Sequence, residues 1–166
     1  MNAKCFLDRS PLVSIVITCF NYGKFIKQAI DSALEQTYSS VEIVIVNDGS
    51  TDNTDEVVAN YLNLDNVKYI KQQNAGQTKA KNTGINNSSG DFIAFLDADD
   101  AWETEKLAKQ VILFSNEAVG VVYSRSRYID EQGKALDVPK SGNKYLLPKA
   151  GKVTDHLLLD NFVPFS

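Results

Sequence analysis

The sequence is poor in the residues that build stapled or zinc-bound domains: Cys5 and Cys19 are its only cysteines and His156 its only histidine. Cys5 falls in an N-terminal tail and Cys19 ends an apolar run. No disulfide staple is expected, and a reducing compartment is favoured. One histidine and no cysteine pair leave little from which to make a zinc site. No run approaches the roughly 20 apolar residues needed to cross a bilayer, and Met1 to Arg9 holds no apolar segment of signal-peptide length. An excess of one charge is also missing. The net charge is −4, with no block of like charges, which argues against a dedicated nucleic-acid binder, whose affinity needs a basic face. Nearby carboxylates would repel a diphosphate, so such a ligand would bind here with a cation between them. What is present is ordinary: 166 residues, 43% hydrophobic and 23% charged, suit one domain with a real core.

Along the chain, β-branched runs alternate with helical periodicity. Val13 to Phe20 reads as a central strand, broken by Asn21-Tyr22-Gly23. Phe25, Ile26, Ala29, Ile30, Ala33 and Leu34 recur at helical spacing, predicting an amphipathic helix that ends near Gln36. Val41 to Val46 is a second buried strand, closed by Asn47-Asp48-Gly49-Ser50. Ser50 or Thr51 is then expected to cap a helix through Tyr61, with Val57, Val58, Tyr61 and Leu62 inward. Val67 to Lys71 reads as a shorter strand nearer an edge, followed by a helix of weak amphipathicity from about Gln77 to Asn87. Asp91 to Leu96 is the fourth strand, ending in the acidic turn Asp97-Ala98-Asp99-Asp100. A helix from about Glu103 to Asn116 and a strand at Val119 to Ser124 follow. Beyond Tyr128 the pattern frays: Glu131-Gln132-Gly133 reads as a hairpin turn, Val138 to Gly151 as a loop, and Thr154 as the cap of a short helix through Leu159. The division expected is a tail over residues 1–10 and one domain over 11–166.

Such alternation implies an α/β fold, a mainly parallel sheet with helices on both faces. Ligands of such sheets bind beyond the carboxyl ends of the strands. The polar clusters Thr18 to Asn21, Asn47 to Ser50 and Asp97 to Asp100 all fall at those ends. In an extended chain Asp97 and Asp99 would point the same way, roughly 6.6 Å apart. Two carboxylates about 4 Å apart repel by roughly 4 kcal/mol at an effective dielectric near 20, so such an acidic turn invites a cation. Hard oxygen ligands favour Mg²⁺ or Mn²⁺. The same acids could instead cap the helix that begins near Trp102. Asp48 could accept the N3–H of a uracil, with Thr18 and Phe20 supplying a hydroxyl and a flat face, or the Asn47 to Asp52 stretch could be a plain strand-to-helix turn. Lys79 and Lys81 could be solvated helix lysines, or Lys81 could face the rim.

Taken in order, the segments Val13 to Asn21, Ala33-Leu34-Glu35-Gln36-Thr37-Tyr38, Glu42 to Asp52, Asn74-Ala75-Gly76, Lys81-Asn82-Thr83-Gly84 and Gly90 to Asp100 resemble the donor-binding portion of the family 2 glycosyltransferases, which share the GT-A fold. The resemblance covers about residues 12 to 124. It implies a nucleoside-diphosphate sugar donor, with uridine the preferred base. The implied donor set is Thr18, Phe20, Asn21, Asp48, Lys81, Asp97 and Ala98, and the implied metal ligands are Asp99 and Asp97, holding Mn²⁺ or Mg²⁺. It further implies inversion at the anomeric carbon, a sugar or lipid-linked acceptor such as cell-surface polysaccharide synthesis uses, and a cytoplasmic location, with peripheral membrane attachment open in a longer protein.

The pattern departs from the family in places. Thr18 stands where proline is usual, Asn47 where an Asp is commoner, and Lys81 where Arg would offer a planar fork. No residue after Asp100 stands out as the base that would deprotonate an acceptor hydroxyl. Asp130, Asp137, Asp155 and Asp160 qualify only by type, so the base is expected beyond Ser166, in a longer enzyme. A sugar-1-phosphate nucleotidyltransferase would carry a Gly-rich basic loop where Cys19 to Lys24 stands. A dehalogenase-like phosphatase would carry its acidic motif after the first strand rather than the fourth. A non-catalytic module, either a phosphorylatable receiver or a binder with an acidic metal pocket, is the alternative of another class; a receiver would want a lysine at the end of its last parallel strand, where Ser124-Arg125 stands.

Overall fold

The computed structural model describes residues 10–124, 126–130, 134 and 136. The chain divides into two compact units, Met1–Gly120 with Ser166, and Val121–Phe165. The first unit holds strands β1 (Val13–Cys19), β2 (Val41–Asn47), β3 (Val67–Lys71) and β4 (Phe92–Asp97). Between and after them lie helices α1 (Ile26–Leu34), α2 (Thr54–Ala59), α3 (Gln77–Asn86) and α4 (Lys106–Val111), the last running into a 3-10 turn at Ile112–Ser115. The four strands form one parallel sheet in the order β3-β2-β1-β4. β1 and β2 are central and nearly every residue in them is buried, whereas β3, the less apolar strand, lies at the edge as its composition implies.

The two-residue period of the strands sorts their side chains onto two unlike faces. Val13, Ile15, Ile17 and Cys19 of β1, with Ile43 and Ile45 of β2 and Leu96 of β4, join Ile26, Ala29, Ile30 and Ala33 of α1, Val58 of α2 and Leu107 and Val111 of α4 in the larger core. Trp102 closes that core, with the Lys106 ammonium 4.0 Å from the centre of its ring. Among the described residues, the other face holds only Val16, Val44, Val46 and Ala80 as buried apolar residues, with Ile70, Ile93 and Phe95 packed around them. The helix on this face is α3, whose buried residues are Ala80 and Gly84. Its weak amphipathicity follows: it meets the sheet through two small residues one turn apart, and a Cβ on Gly84 would come within 2.3 Å of Val16 Cγ1.

At the amino ends of the strands, Ser14 Oγ donates to Glu42 Oε1 (2.5 Å), Lys68 Nζ reaches Glu42 Oε2 (2.8 Å), Ser89 N–H donates to Glu42, and Gly90 N–H donates to Ser14 Oγ (2.8 Å). Burial acts to raise the Glu42 pKa, and the hydrogen bonds from Lys68, Ser14 and Ser89 more than offset it, holding the carboxyl below the ordinary glutamate range. This end of the sheet is tied shut.

Several expected boundaries move. Neither Ser50 nor Thr51 caps α2, which begins at Thr54 with Asn53 as N-cap and no side-chain cap bond. Asp52 takes the nearby donors, accepting from Thr54 N–H (3.1 Å) and the Thr54 hydroxyl (2.5 Å). Leu62, expected inward, is 49% exposed because α2 has ended by Ala59. α4 is shorter than expected at both ends, since residues 101–105 are spent on a non-helical crossing and the final turn tightens to 3-10. No strand forms over 119–124. Val119 N–H turns back to the Asn116 carbonyl (2.9 Å) and Val121 is 60% exposed, so these valines join no buried ladder.

In the second unit, Asp130 N–H donates to the Lys134 carbonyl (2.9 Å) and Leu136 N–H to the Tyr128 carbonyl (2.9 Å), a hairpin-like pairing. Its expected turn, Glu131-Gln132-Gly133, lies outside the described residues, as do Met1 to Arg9, the 138–151 loop and the 154–159 helix.

Candidate functional site

Parallel register brings the carboxyl-end clusters to one rim. Thr18 pairs with Asp97 across β1 and β4, and Cys19 with Asn47 across β1 and β2. Because neighbouring residues point to opposite faces, Thr18 and Asp97 lie on the α3 side, and Cys19 and Asn47 on the side of α1 and α2. Asp97 is met there by Lys81, whose Nζ lies 3.1 Å from Asp97 Oδ1, and by Gln77 Nε2 at 3.4 Å from the same oxygen. Lys81 is only 15% exposed and lies 5.5 Å from the centre of the Phe95 ring. It faces the rim, while its neighbour Lys79 is exposed.

The acidic segment is a turn. Asp100 N–H donates to the Asp97 carbonyl at 3.0 Å, so the spacing of an extended strand does not apply to Asp97 and Asp99. Ala98 is buried in the larger core, which separates the two acids: Asp97 is half-buried and Asp99 exposed. Capping does not account for them, since α4 begins at Lys106 with Glu105 as its N-cap, five residues past Asp100. Two carboxylates in a turn are a donor set suited to Mg²⁺ or Mn²⁺, which take one or two protein carboxylates and fill their remaining positions with water and phosphate oxygens. Among the described residues no group of three or more His, Cys, Asp or Glu side chains could hold a metal. An all-protein cage is therefore not what this rim offers.

Asp48 is almost fully buried, at 4% exposure, and its carboxylate is already engaged. Oδ1 accepts from Gln72 Nε2 (2.6 Å) and Ala75 N–H (2.9 Å), and Oδ2 from Gly76 N–H (2.8 Å). A carboxylate has about four acceptor positions, and three of those on Asp48 are filled. The sequence placed Asp48 at the rim but not its hold on the 74–76 loop, because that contact joins residues 27 and 28 positions apart. Gly49, at φ 81°, makes the turn after Asp48; a Cβ there would meet Asn74 N at 2.8 Å, so the two loops pack backbone against backbone.

The loop after β1 is tied to the loop after β2. Asn21 adopts φ 59°, a conformation its short polar side chain tolerates. Its N–H donates to Ser50 Oγ (2.9 Å) and its Oδ1 accepts from Thr51 N–H (2.8 Å). Gly23 N–H donates to Asp52 Oδ2 (2.8 Å). Phe20, just before them, is 44% exposed and leaves a ring at the rim. Asn47 is fully buried: its Nδ2 donates to Asp55 (2.8 Å) and Tyr69 (2.7 Å), and its Oδ1 accepts from Ser50 N–H (2.8 Å). An amide at 47 both donates and accepts, which an ionised aspartate cannot do, and this explains why Asn is accommodated there. Cys19 Sγ lies 3.5 Å from the Val46 carbonyl, and burial pushes its thiol pKa up to about 12, leaving it chemically quiet. Asp130, one of the residues considered by type as a base, accepts the Lys134 N–H at 2.9 Å within its own turn.

An α/β sheet with polar loops gathered at its carboxyl rim, and acids in the turn after the strand beside β1, is the architecture in which open parallel sheets bind their ligands. The profile described as "Glycosyl transferase family 2" matches residues 14–161. The chain belongs to that family. An uncharacterised glycosyltransferase of Nostoc sp. is 41% identical over 128 residues, 75% of this chain and 39% of its own length. The chondroitin synthase of Escherichia coli is 33% identical over 162 residues, 96% of this chain and 23% of its own. Among solved structures, Staphylococcus aureus TarS 1-349 in complex with UDP-GlcNAc has a TM-score of 0.56 and 30% identity, covering 59% of this chain and 29% of that one. The mannosyltransferase PcManGT of Pyrobaculum calidifontis shares the fold, with a TM-score of 0.59 over 77% of this chain and 41% of its own, at 22% identity. The fold is thus GT-A, and the chain spans less than half the length of these relatives. The nucleotidyltransferase, phosphatase and receiver readings find no support in these matches. No helix among the described residues is long and apolar enough to cross a membrane.

Proposed function

We propose that this chain binds a nucleoside-diphosphate sugar, with UDP as the nucleotide, for inverting transfer of the sugar to an acceptor hydroxyl. The observation that carries this reading is the register that sets Thr18 beside Asp97, with Lys81 on the same carboxylate, at the sheet's carboxyl rim. Solved relatives in complex with UDP and with UDP-GlcNAc support the choice of nucleotide.

In this reading the exposed Phe20 ring offers a flat face to the base and Thr18 a hydroxyl contact beside it. Asp48 holds the 74–76 loop and uses its remaining acceptor position for the base imide. Asn21 shapes the loop that brings Phe20 to the rim, and Ala98, buried, separates the two acids. Asp97 and Asp99 would hold Mn²⁺ or Mg²⁺, which when bound supplies Lewis-acid stabilisation to a departing diphosphate. Lys81 already lies on Asp97 and adds a second positive charge within reach of the same phosphates. Residues 11–120 carry this binding surface.

Calorimetric titration of the chain with UDP, with and without Mn²⁺, tests the reading. Binding in Mn²⁺ should be tighter by more than about tenfold, and Asp99→Ala should remove that difference. Equal affinity in all four titrations would sink it.

A further inference from the structure

At the carboxyl end of α1, Ser32, Gln36 and Thr37 make hydrogen bonds to the chain that follows the acidic turn. Gln36 is buried, at 8% exposure. Its Nε2 donates to the Glu103 carbonyl (2.9 Å) and to the Ser32 carbonyl (3.1 Å), and its Oε1 accepts from Leu107 N–H (3.0 Å). Thr37 donates to the Thr104 carbonyl through its N–H (2.9 Å) and its hydroxyl (3.3 Å). Ser32 Oγ accepts from Trp102 N–H at 3.1 Å and donates to the Ala29 carbonyl at 2.8 Å.

Five hydrogen bonds therefore cross from this end of α1 to residues 102–107. The crossing segment needs them. Residues 101–105 are not helical and have no ladder of their own, and Trp102 must stay buried in the core. On its other side the acidic turn is fixed by the pairing of β4 with β1, which ends at Thr18 with Asp97. A turn whose flanking backbone is held on both sides has less conformational freedom to lose when a ligand binds.

We propose that Gln36 is a positioning residue for the acidic turn: by fixing residues 103 to 107 it sets where Asp99 stands, and so the affinity of the turn for a divalent cation with diphosphate. The inference rests on the reading of Asp97 and Asp99 as metal ligands. Groups that orient ligating side chains commonly alter metal affinity by 10- to 100-fold when removed.

The test is a titration with UDP, in Mn²⁺ and without it, of the unchanged chain, Gln36→Met and Ser32→Ala, with Asp99→Ala as reference. Gln36→Met keeps the bulk and loses all three bonds. It should weaken UDP binding in Mn²⁺ by about tenfold, with full stoichiometry and with metal-free binding unchanged. Ser32→Ala, which removes the bond to Trp102, should show a smaller loss of the same kind, and it carries the test if Gln36→Met does not fold. An unchanged dissociation constant in Mn²⁺, with only the stoichiometry or the melting temperature lowered, would overturn the proposal and leave Gln36 an ordinary buried amide. Metal-independent binding by the unchanged chain would instead remove the reading beneath it, and that arm alone reveals it.

Discussion

The two faces of the sheet are built on different plans. The face covered by α1, α2 and α4 is thick: isoleucines of β1 and β2 interlock with Ile26 and Ile30, and Trp102 and Leu107 close it. The face under α3 is thin, made of valines below Ala80 and Gly84, and its rim carries charge, with Lys81 against Asp97. Large apolar side chains supply stability in proportion to the area they bury. Small residues let a helix come close, so that Gln77 and Lys81, on either side of Ala80, are brought down to the sheet's edge. The difference teaches that apolar mass and charge are assigned to opposite sides of the same strands, residue by residue.

The thick face should show the largest response. Ile45→Ala removes a fully buried side chain from it and should cost about 2–5 kcal/mol, read from urea unfolding. A loss below about 1 kcal/mol would mean that the larger core is not where stability lies. On the thin face, Gly84→Ala sets a methyl against the branched Val16 side chain at 2.3 Å. It should cost roughly 1–3 kcal/mol and also weaken UDP binding, because α3 carries Lys81 and Gln77 away from Asp97 as it lifts. If stability falls while binding is unchanged, the link between the close helix and the rim is broken.

The smallest effect belongs to the tied end of the sheet. The Glu42 carboxyl is held below its ordinary pKa of 4.5 in the folded chain, so the stability it contributes is complete above the ordinary glutamate range. That contribution is lost as pH falls through its depressed folded value. Glu42→Gln should therefore flatten the acid limb of a stability–pH profile, measured by unfolding between about pH 5 and pH 2. An unchanged slope would show that Glu42 is not among the groups whose protonation unfolds the chain.

Much of this was legible in the residues. The strands at Val13, Val41, Val67 and Phe92 were found within a residue or two because β-branched runs closed by polar turns leave few alternatives, and the weak apolarity of Val67 to Lys71 located the edge. Helix ends were less legible. Ser50 and Thr51 look like caps, but Ser50 is drawn off by Asn21 and Asn47, and Asp52 holds Thr54 instead. The helix expected from Glu103 begins at Lys106 because Gln36 and Thr37 take the carbonyls of Glu103 and Thr104. Val119 to Ser124 has the composition of a strand without the sheet contacts that would make it one.

By itself the sequence determined the order of strands and helices, the loops that meet at the rim, and the acids, hydroxyl and lysine available there. Those follow from short-range periodicity and from turn chemistry, which act over a few residues. Only the tertiary structure decided that Asp97 stands beside Thr18 and under Lys81, and that Asp48 is enclosed by Ala75 and Gly76. These contacts depend on register between strands and on how closely α3 approaches the sheet, and both are set by packing between residues far apart in the chain.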